Sequence, residues 1–168
     1  MTFVMVHVLI SLAGIASGFV VMIGLLGARR LDGWTGFFLA TTVATSVTGY
    51  FLPADRILPS HIVGAVSLLV LTIAVVARYR RHLAGAWRWI YVVSAVAALY
   101  LNVFVGIVQA FLKIPVLKAA APTQSELPFG IAQFAALVLF VVIGALAVVT
   151  FRTGQPQTRP AAHIASSL

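Results

Sequence analysis

The chain has 168 residues, of which 62% are hydrophobic and only 8% are charged. Because ordinary soluble domains carry about 25% charged residues, this composition excludes a soluble domain and indicates a protein embedded in lipid. The sequence contains no cysteine, which excludes disulfides, thiolate metal sites and cysteine nucleophiles.

Five apolar stretches, taken in chain order, meet or approach the length of about 20 residues that a membrane-spanning helix needs. They comprise residues 3–28, 34–52, 60–77, 87–112 and 128–151. We therefore predict an all-α fold, a polytopic membrane bundle of five transmembrane helices that forms a single domain over residues 1–152. The remainder, 153–168, is polar and rich in proline and small residues, and is predicted to be a disordered cytoplasmic tail.

The first apolar stretch is expected to remain as a helix rather than to be removed as a signal peptide. No positively charged segment precedes it in the sequence. It is also far longer than the apolar region of a signal peptide, which has about 7 to 15 residues.

The distribution of positive charge predicts the orientation of the bundle. Eight arginines fall in the first and third inter-helix loops, at their edges and in the tail: Arg29, Arg30, Arg78, Arg80, Arg81, Arg88, Arg152 and Arg159. Only Arg56, Lys113 and Lys118 fall in the second and fourth loops. Since cytoplasmic loops carry the excess of lysine and arginine, the N-terminus is predicted outside and the C-terminus in the cytoplasm. The net charge of +8 is thus explained by topology, and nucleic acid is not predicted as a partner.

Polar side chains are predicted to form a layer near the outer surface. Counting the helix rise of about 1.5 Å per residue from the arginines puts four of them roughly 25 to 33 Å from the inner interface: His7, His61, Gln109 and Gln133. Asn102 lies about 21 Å from that interface on the same scale. Asn102, Gly106 and Gln109 follow at i, i+4 and i+7, which is one face of a helix. The layer is therefore expected to point into the bundle.

Glu126 is the only glutamate in the chain, and it lies in the segment APTQSELPF. The surrounding loop, residues 113–127, is the inter-helix segment long enough to fold over the mouth of the bundle, where the carboxylate could meet His7 or His61. Glu126 could equally cap the fifth helix, with Pro128 in its first turn. These two roles are compatible.

The polar layer is a candidate site for a small ligand or an ion. Ionisable groups within membrane spans are costly and are functional candidates by default. The predicted ligand-binding set draws on four helices and one loop: His7, His61, Asn102, Gln109, Glu126 and Gln133. Two histidines and a carboxylate also suit a transition metal, which would be held by His7, His61 and Glu126.

Haem binding is an alternative, because histidines on transmembrane helices serve as axial ligands of haem held inside a bundle. His7 and His61 are the candidate ligands for haem b. Their predicted depths differ by about five residues, or roughly 8 Å, whereas a haem with two histidine ligands needs both at one height.

The sequence also resembles an uncharacterised family of small multi-span bacterial inner-membrane proteins. The resemblance rests on a series of segments within positions 6–134: HVLISLAGIASG, TGYFLPADRILPSH, ARYRRHLAGAWRWIY, LYLNVFVGIVQAFLKIP and APTQSELPFGIAQ. It implies a helix bundle in the bacterial inner (plasma) membrane and carries no activity or functional residues with it.

The remaining alternative is a non-enzymatic membrane protein that associates with lipid and with another membrane component. The sequence has no nucleophile elbow, no HExxH motif and no phosphate-binding glycine loop. Asparagine and glutamine also hold helices together by hydrogen bonds, so the polar layer would then serve packing. A second copy of the chain or a different membrane protein is the expected partner.

Overall fold

The computed structural model describes residues 2–52 and 59–153. Over these ranges the fold is all-helical and has no strand, which confirms the all-α part of the predicted fold class. Six α-helices follow one another: α1 Phe3–Leu26, α2 Asp32–Gly49, α3 Pro59–Val75, α4 Trp87–Lys113, α5 Pro115–Ala120 and α6 Leu127–Thr153. A π-helical turn, Val76–Arg80, continues α3. Apart from Thr153, the predicted tail lies outside the described residues, as does Arg56.

Four helical segments are long and apolar enough to cross a membrane, which fits a multi-pass membrane protein. They are Phe3–Leu26, His61–Arg80, Trp87–Lys113 and Leu127–Phe151. The second predicted span folds as α2, which is less apolar because it begins with Asp32 and carries six hydroxyl side chains: Thr35, Thr41, Thr42, Thr45, Ser46 and Thr48. A fifth span and the orientation therefore stay predictions.

Helix α4 occupies the centre of the bundle. It packs against α1, α3, α5 and α6, while α2 packs between α1 and α3. Phe38, Leu71, Tyr91 and Leu99 are among the largest fully buried side chains. Helix α1 approaches this core through Gly18, where an added Cβ would lie 2.9 Å from the ring of Phe38 and would collide with Leu99. The absence of a side chain at Gly18 thus allows close packing.

The end of the bundle that is predicted to face the cytoplasm contains a buried arginine. The Arg78 side chain is 7% exposed and forms an ion pair with Asp32, which is 79% exposed. Its guanidinium lies 5.7 Å from the ring centre of Tyr79 and 5.2 Å from that of Tyr91. Arg78 therefore ties the end of α3 to the first turn of α2 and to α4.

The segment between α4 and α6 differs from the predicted irregular loop. It contains α5, with Pro115 in its first turn. Proline is favoured there because the first helical N–H has no partner within the helix and the fixed φ suits a helix start. Pro115 thus starts a short helix that packs on α4.

Candidate functional site

A cavity of about 370 Å³ lies between α1, α2, α3 and α4. It is at the end of the bundle where α1 and α3 begin and where α2 and α4 end. Four of the predicted ligand residues line it. His7 comes from α1 and His61 from α3, while Asn102 and Gln109 come from α4. The structure thus brings two histidines and two amides of the predicted polar layer into one cavity.

His7 is held on α1 by a hydrogen bond to α2. Its Nδ1 atom lies 2.8 Å from the hydroxyl oxygen of Thr48. The single hydroxyl proton of Thr48 is donated to the carbonyl of Ala44 at 2.6 Å, so Thr48 accepts and His7 Nδ1–H donates. In the neutral imidazole the lone pair is then on Nε2. His7 consequently uses Nδ1 for the contact with α2, while Nε2 can accept a hydrogen bond or coordinate a metal.

His61 lies at the start of α3 and packs against the end of α2. Its ring stacks on that of Tyr50 at a centroid distance of 5.5 Å, and the Tyr50 hydroxyl donates to the His61 carbonyl at 2.7 Å. Gly64, one turn further along α3, would place a Cβ 3.3 Å from the Tyr50 ring. These contacts join α2 to α3 along one side of the cavity.

Asn102 lies deepest among the four and is buried. Its amide Nδ2 donates to the Thr42 hydroxyl on α2 at 3.2 Å. Gly14 of α1 lies opposite, where an added Cβ would be 3.4 Å from the same amide nitrogen. Three helices therefore meet at Asn102. Within the part of the chain that the structure describes, its amide oxygen accepts no hydrogen bond.

A polar stripe runs along α4 from Asn102 to the mouth of the cavity. Asn102, Gly106, Gln109 and Lys113 follow at i, i+4, i+7 and i+11, and all four line the cavity. The prediction from sequence stopped at Gln109 and treated Lys113 as a loop charge. The same helical spacing would have included Lys113, because α4 extends through this residue. Lys113 is therefore a cavity residue that sequence reasoning missed.

Glu126 is the N-cap residue of α6 and does not line the cavity. One carboxylate oxygen accepts hydrogen bonds from the Thr123 N–H at 3.1 Å and the Thr123 hydroxyl at 2.8 Å, and the other accepts from the Ser125 N–H. Its own carbonyl accepts the first N–H groups of α6, from Phe129 and Gly130. Glu126 thus closes the turn that precedes α6.

The pKa of Glu126 follows from these contacts. Desolvation acts to raise the pKa, but the hydrogen bonds from Thr123 and Ser125 outweigh it, so the pKa lies below the usual glutamate value. The Glu126 side chain is partly exposed, in keeping with its place in a surface turn. The loop itself folds onto α4, where the Gln124 amide donates to the Val108 carbonyl at 2.9 Å. Among the described residues, none between 114 and 127 lines the cavity.

Gln133 also lies apart from the cavity. Its Nε2 donates to the Phe104 carbonyl at 3.2 Å and so links α6 to α4. Its Oε1 is buried and has no partner among the described residues. Gln133 therefore belongs to the contact between α4 and α6. Its predicted depth alone could not show that it lies outside the cavity.

The metal hypothesis required His7, His61 and Glu126 to converge. Within residues 2–52 and 59–153, no three side chains of histidine, cysteine, aspartate or glutamate gather where they could hold one metal ion. The two histidines share the cavity, whereas Glu126 bonds to its own turn.

No family model, curated protein or solved structure matches this chain. The resemblance to the family of small inner-membrane proteins is therefore still a prediction. Function has to be inferred from the cavity and its side chains.

Proposed function

We propose that the chain is a non-enzymatic, multi-pass protein of the bacterial inner membrane that binds a small ligand in the cavity between α1 and α4. The observation that carries this proposal is the cavity itself, which receives polar side chains from four helices. Its volume of about 370 Å³ lies at the lower end of the range of roughly 300 to 1,000 Å³ for small-molecule sites.

Unsatisfied polar groups favour ligand binding over helix packing as the role of this layer. A residue that serves packing is expected to be bonded to a neighbouring helix, as His7 is to Thr48. By contrast, the Thr45 hydroxyl on the cavity wall is buried without a partner among the described residues. The exposed side chains of Gln109 and Lys113 form no hydrogen bond or ion pair within the described part of the chain and are therefore available at the mouth. A bound ligand would satisfy the buried Thr45 hydroxyl and could contact both of these side chains.

The proposed topology has five spans, with the N-terminus outside and the C-terminus in the cytoplasm. Helix α2 is included because it packs between two helices that are apolar enough to cross a membrane. Its hydroxyls are compatible with lipid, since Thr41 and Thr48 donate back to carbonyls of their own helix. In this orientation the cavity opens toward the outer face.

Haem binding is a second candidate because both histidines line one cavity. The hydrogen bond from His7 Nδ1 leaves Nε2 as the atom that would ligate iron. The protein purified from its own membranes would then show a Soret band that is lost in His7→Ala and His61→Ala. Purified protein without a Soret band would exclude this candidate and leave small-ligand binding unaffected.

The proposed function is tested by filling the cavity. Gly106 lies on the α4 stripe, and an added Cβ there would be 3.5 Å from Ile15 across the cavity. Gly106→Leu should therefore displace a ligand. Gly130→Leu on α6 is the matched control because a Cβ at this position meets no atom within 4 Å.

The measurement is mass spectrometry of organic extracts of the three purified proteins. We expect a small molecule in extracts of the wild type and Gly130→Leu that is depleted at least about tenfold in Gly106→Leu, which corresponds to a loss of roughly 1.4 kcal/mol of binding free energy. Identical extracts from all three proteins would contradict the proposal.

A further inference from the structure

The charge that lines the cavity has one sign. Among the described residues on its wall, Lys113 is the charged side chain, and no carboxylate is present. The two histidines can only add positive charge when they are protonated. The described acids, Asp32 and Glu126, bond to Arg78 and to Thr123 instead. A cationic group of a ligand would therefore meet no opposite charge on this wall, whereas an anionic group would.

Lys113 is placed to reach such a group. It ends α4 at the mouth of the cavity, is exposed, and has no ion-pair partner within the described part of the chain. Gln109 lies one turn below it on the same stripe. An ammonium and an amide N–H₂ at this spacing can both donate to one carboxylate or phosphate, and hydrogen bonds of this charged kind are stronger than neutral ones.

The rest of the cavity suits an apolar chain. From Lys113 down to Asn102 the helix rise of about 1.5 Å per residue gives a length of roughly 16 Å. Most of the wall over this length is aliphatic, with the following side chains: Val4, Val8, Leu12, Ile15, Val63, Leu101 and Val105. A ligand that fills it would place an apolar part among these residues and a polar head at Lys113.

We infer that the ligand is an amphipathic molecule with an anionic head, a carboxylate or a phosphate, which Lys113 and Gln109 bind at the mouth while the tail extends toward Leu12 and Ile15. This inference rests on the proposed function and adds the chemical class of the ligand. The head can come from a free fatty acid or from a lipid phosphate, and the experiment distinguishes the two.

The test uses four ten-carbon probes that differ only in the head: decanoate, decyl phosphate, decanol and decylamine. Each is radiolabelled and equilibrated with the full chain in nanodiscs of zwitterionic phosphatidylcholine, and binding to empty nanodiscs is subtracted. We expect decanoate or decyl phosphate to bind at least about fivefold more tightly than decanol, and decylamine to bind most weakly. The tighter anion identifies the head.

Matched lysine variants assign the effect to the cavity. Lys113→Met should bring the affinities for the anion and for decanol within about twofold of each other, whereas Lys113→Arg should keep the preference. Lys118→Met is the control, because Lys118 also lies in the last turn of its helix but does not line the cavity. It should behave as the wild type.

Three outcomes overturn the inference. If decanol binds as tightly as the anions, or if Lys113→Met keeps the preference for the anion, the head-group assignment is wrong and the proposed function stands. If none of the four probes binds, the inference is also wrong. The extracts of Gly106→Leu and the wild type then decide separately whether the cavity binds any ligand.

Discussion

His7 on α1 donates a hydrogen bond of 2.8 Å from Nδ1 to the hydroxyl oxygen of Thr48 on α2. The bond joins the beginning of one helix to the end of the next. It also fixes the imidazole at the wall of the cavity with the lone pair of its neutral form on Nε2. One contact thus joins two helices and orients a side chain on the cavity wall.

Thr48→Val should remove the hydrogen bond between His7 and Thr48 with little change in side-chain volume. The His7 N–H would lose its acceptor, so we expect a loss of about 1 kcal/mol of stability and a decrease in Tm of roughly 2 to 4 °C. Thr72→Val is the control, since the exposed Thr72 hydroxyl donates to the Leu68 carbonyl of its own helix. Nitrogen NMR shifts of His7 should indicate a protonated Nδ1 in the wild type. Equal Tm values for the two variants would contradict the role of Thr48.

The Arg78–Asp32 pair should respond unequally to the loss of each partner. Asp32 is largely exposed, so its charge is screened by solvent and Asp32→Ala should cost less than about 1 kcal/mol. Arg78→Ala should cost about 2 kcal/mol, because it also removes the contacts with the rings of Tyr79 and Tyr91. Thermal unfolding in detergent measures both. An effect of Asp32→Ala as large as that of Arg78→Ala would show that the ion pair dominates over the aromatic contacts.

The all-helical fold and the depth of several cavity side chains along their helices could be predicted from the sequence. Depth along a helix depends only on residue count, so the sequence placed His7, His61 and Gln109 at a similar depth, and all three line the same cavity. Rotation about the helix axis is set by neighbouring helices. For this reason the sequence grouped Gln133 with the cavity residues, because its depth is similar. In the structure it packs between α4 and α6.

Glu126 shows a second limit of prediction from sequence. Its position before Pro128 indicated a helix start, which the structure contains. The direction of its side chain depends on the turn formed by Thr123 and Ser125, whose N–H groups point at the carboxylate. The carboxylate is held by its own turn and does not line the cavity, and that local competition is not visible in residue spacing.

Protonation of Glu126 should loosen this turn. Hydrogen bonds lower the pKa in the folded chain, so the carboxylate stabilises the turn above the pKa of the unfolded chain. This stabilisation is lost as the pH falls through the folded value, below the usual glutamate range of about 4.3. Amide proton shifts of Thr123 and Ser125 should titrate together in this range, and Glu126→Gln should abolish the titration. Independent titration of the two amides would contradict a shared acceptor.

Gly18 should tolerate no side chain, unlike a glycine that faces lipid. An added Cβ would lie 2.9 Å from Phe38 and would collide with Leu99, both of which are buried. We therefore expect Gly18→Ala to destabilise the bundle by about 1 to 3 kcal/mol. Gly130→Ala meets no atom within 4 Å and should be neutral or stabilising by up to about 1 kcal/mol. Unfolding monitored by circular dichroism compares the two, and equal stabilities would contradict the close packing of α1 on α4.

The number of spans can be decided from the two ends of the chain. If α2 crosses the membrane with the four more apolar helices, the total is odd and the ends lie on opposite sides. If α2 stays at one surface, the total is four and the ends lie on the same side. We expect the first result, because α2 packs between α1 and α3 and its threonines bond to their own helix.

Reporter fusions measure this directly. Alkaline phosphatase is active only outside the inner membrane, and green fluorescent protein joined after Thr153 fluoresces in the cytoplasm. We expect phosphatase activity for the N-terminal fusion and fluorescence for the C-terminal one. A fusion after Leu31, between α1 and α2, is the internal control and should be cytoplasmic in either case. Finding both ends on one side would remove α2 from the membrane and would place the cavity, whose wall includes α2, partly outside the bilayer.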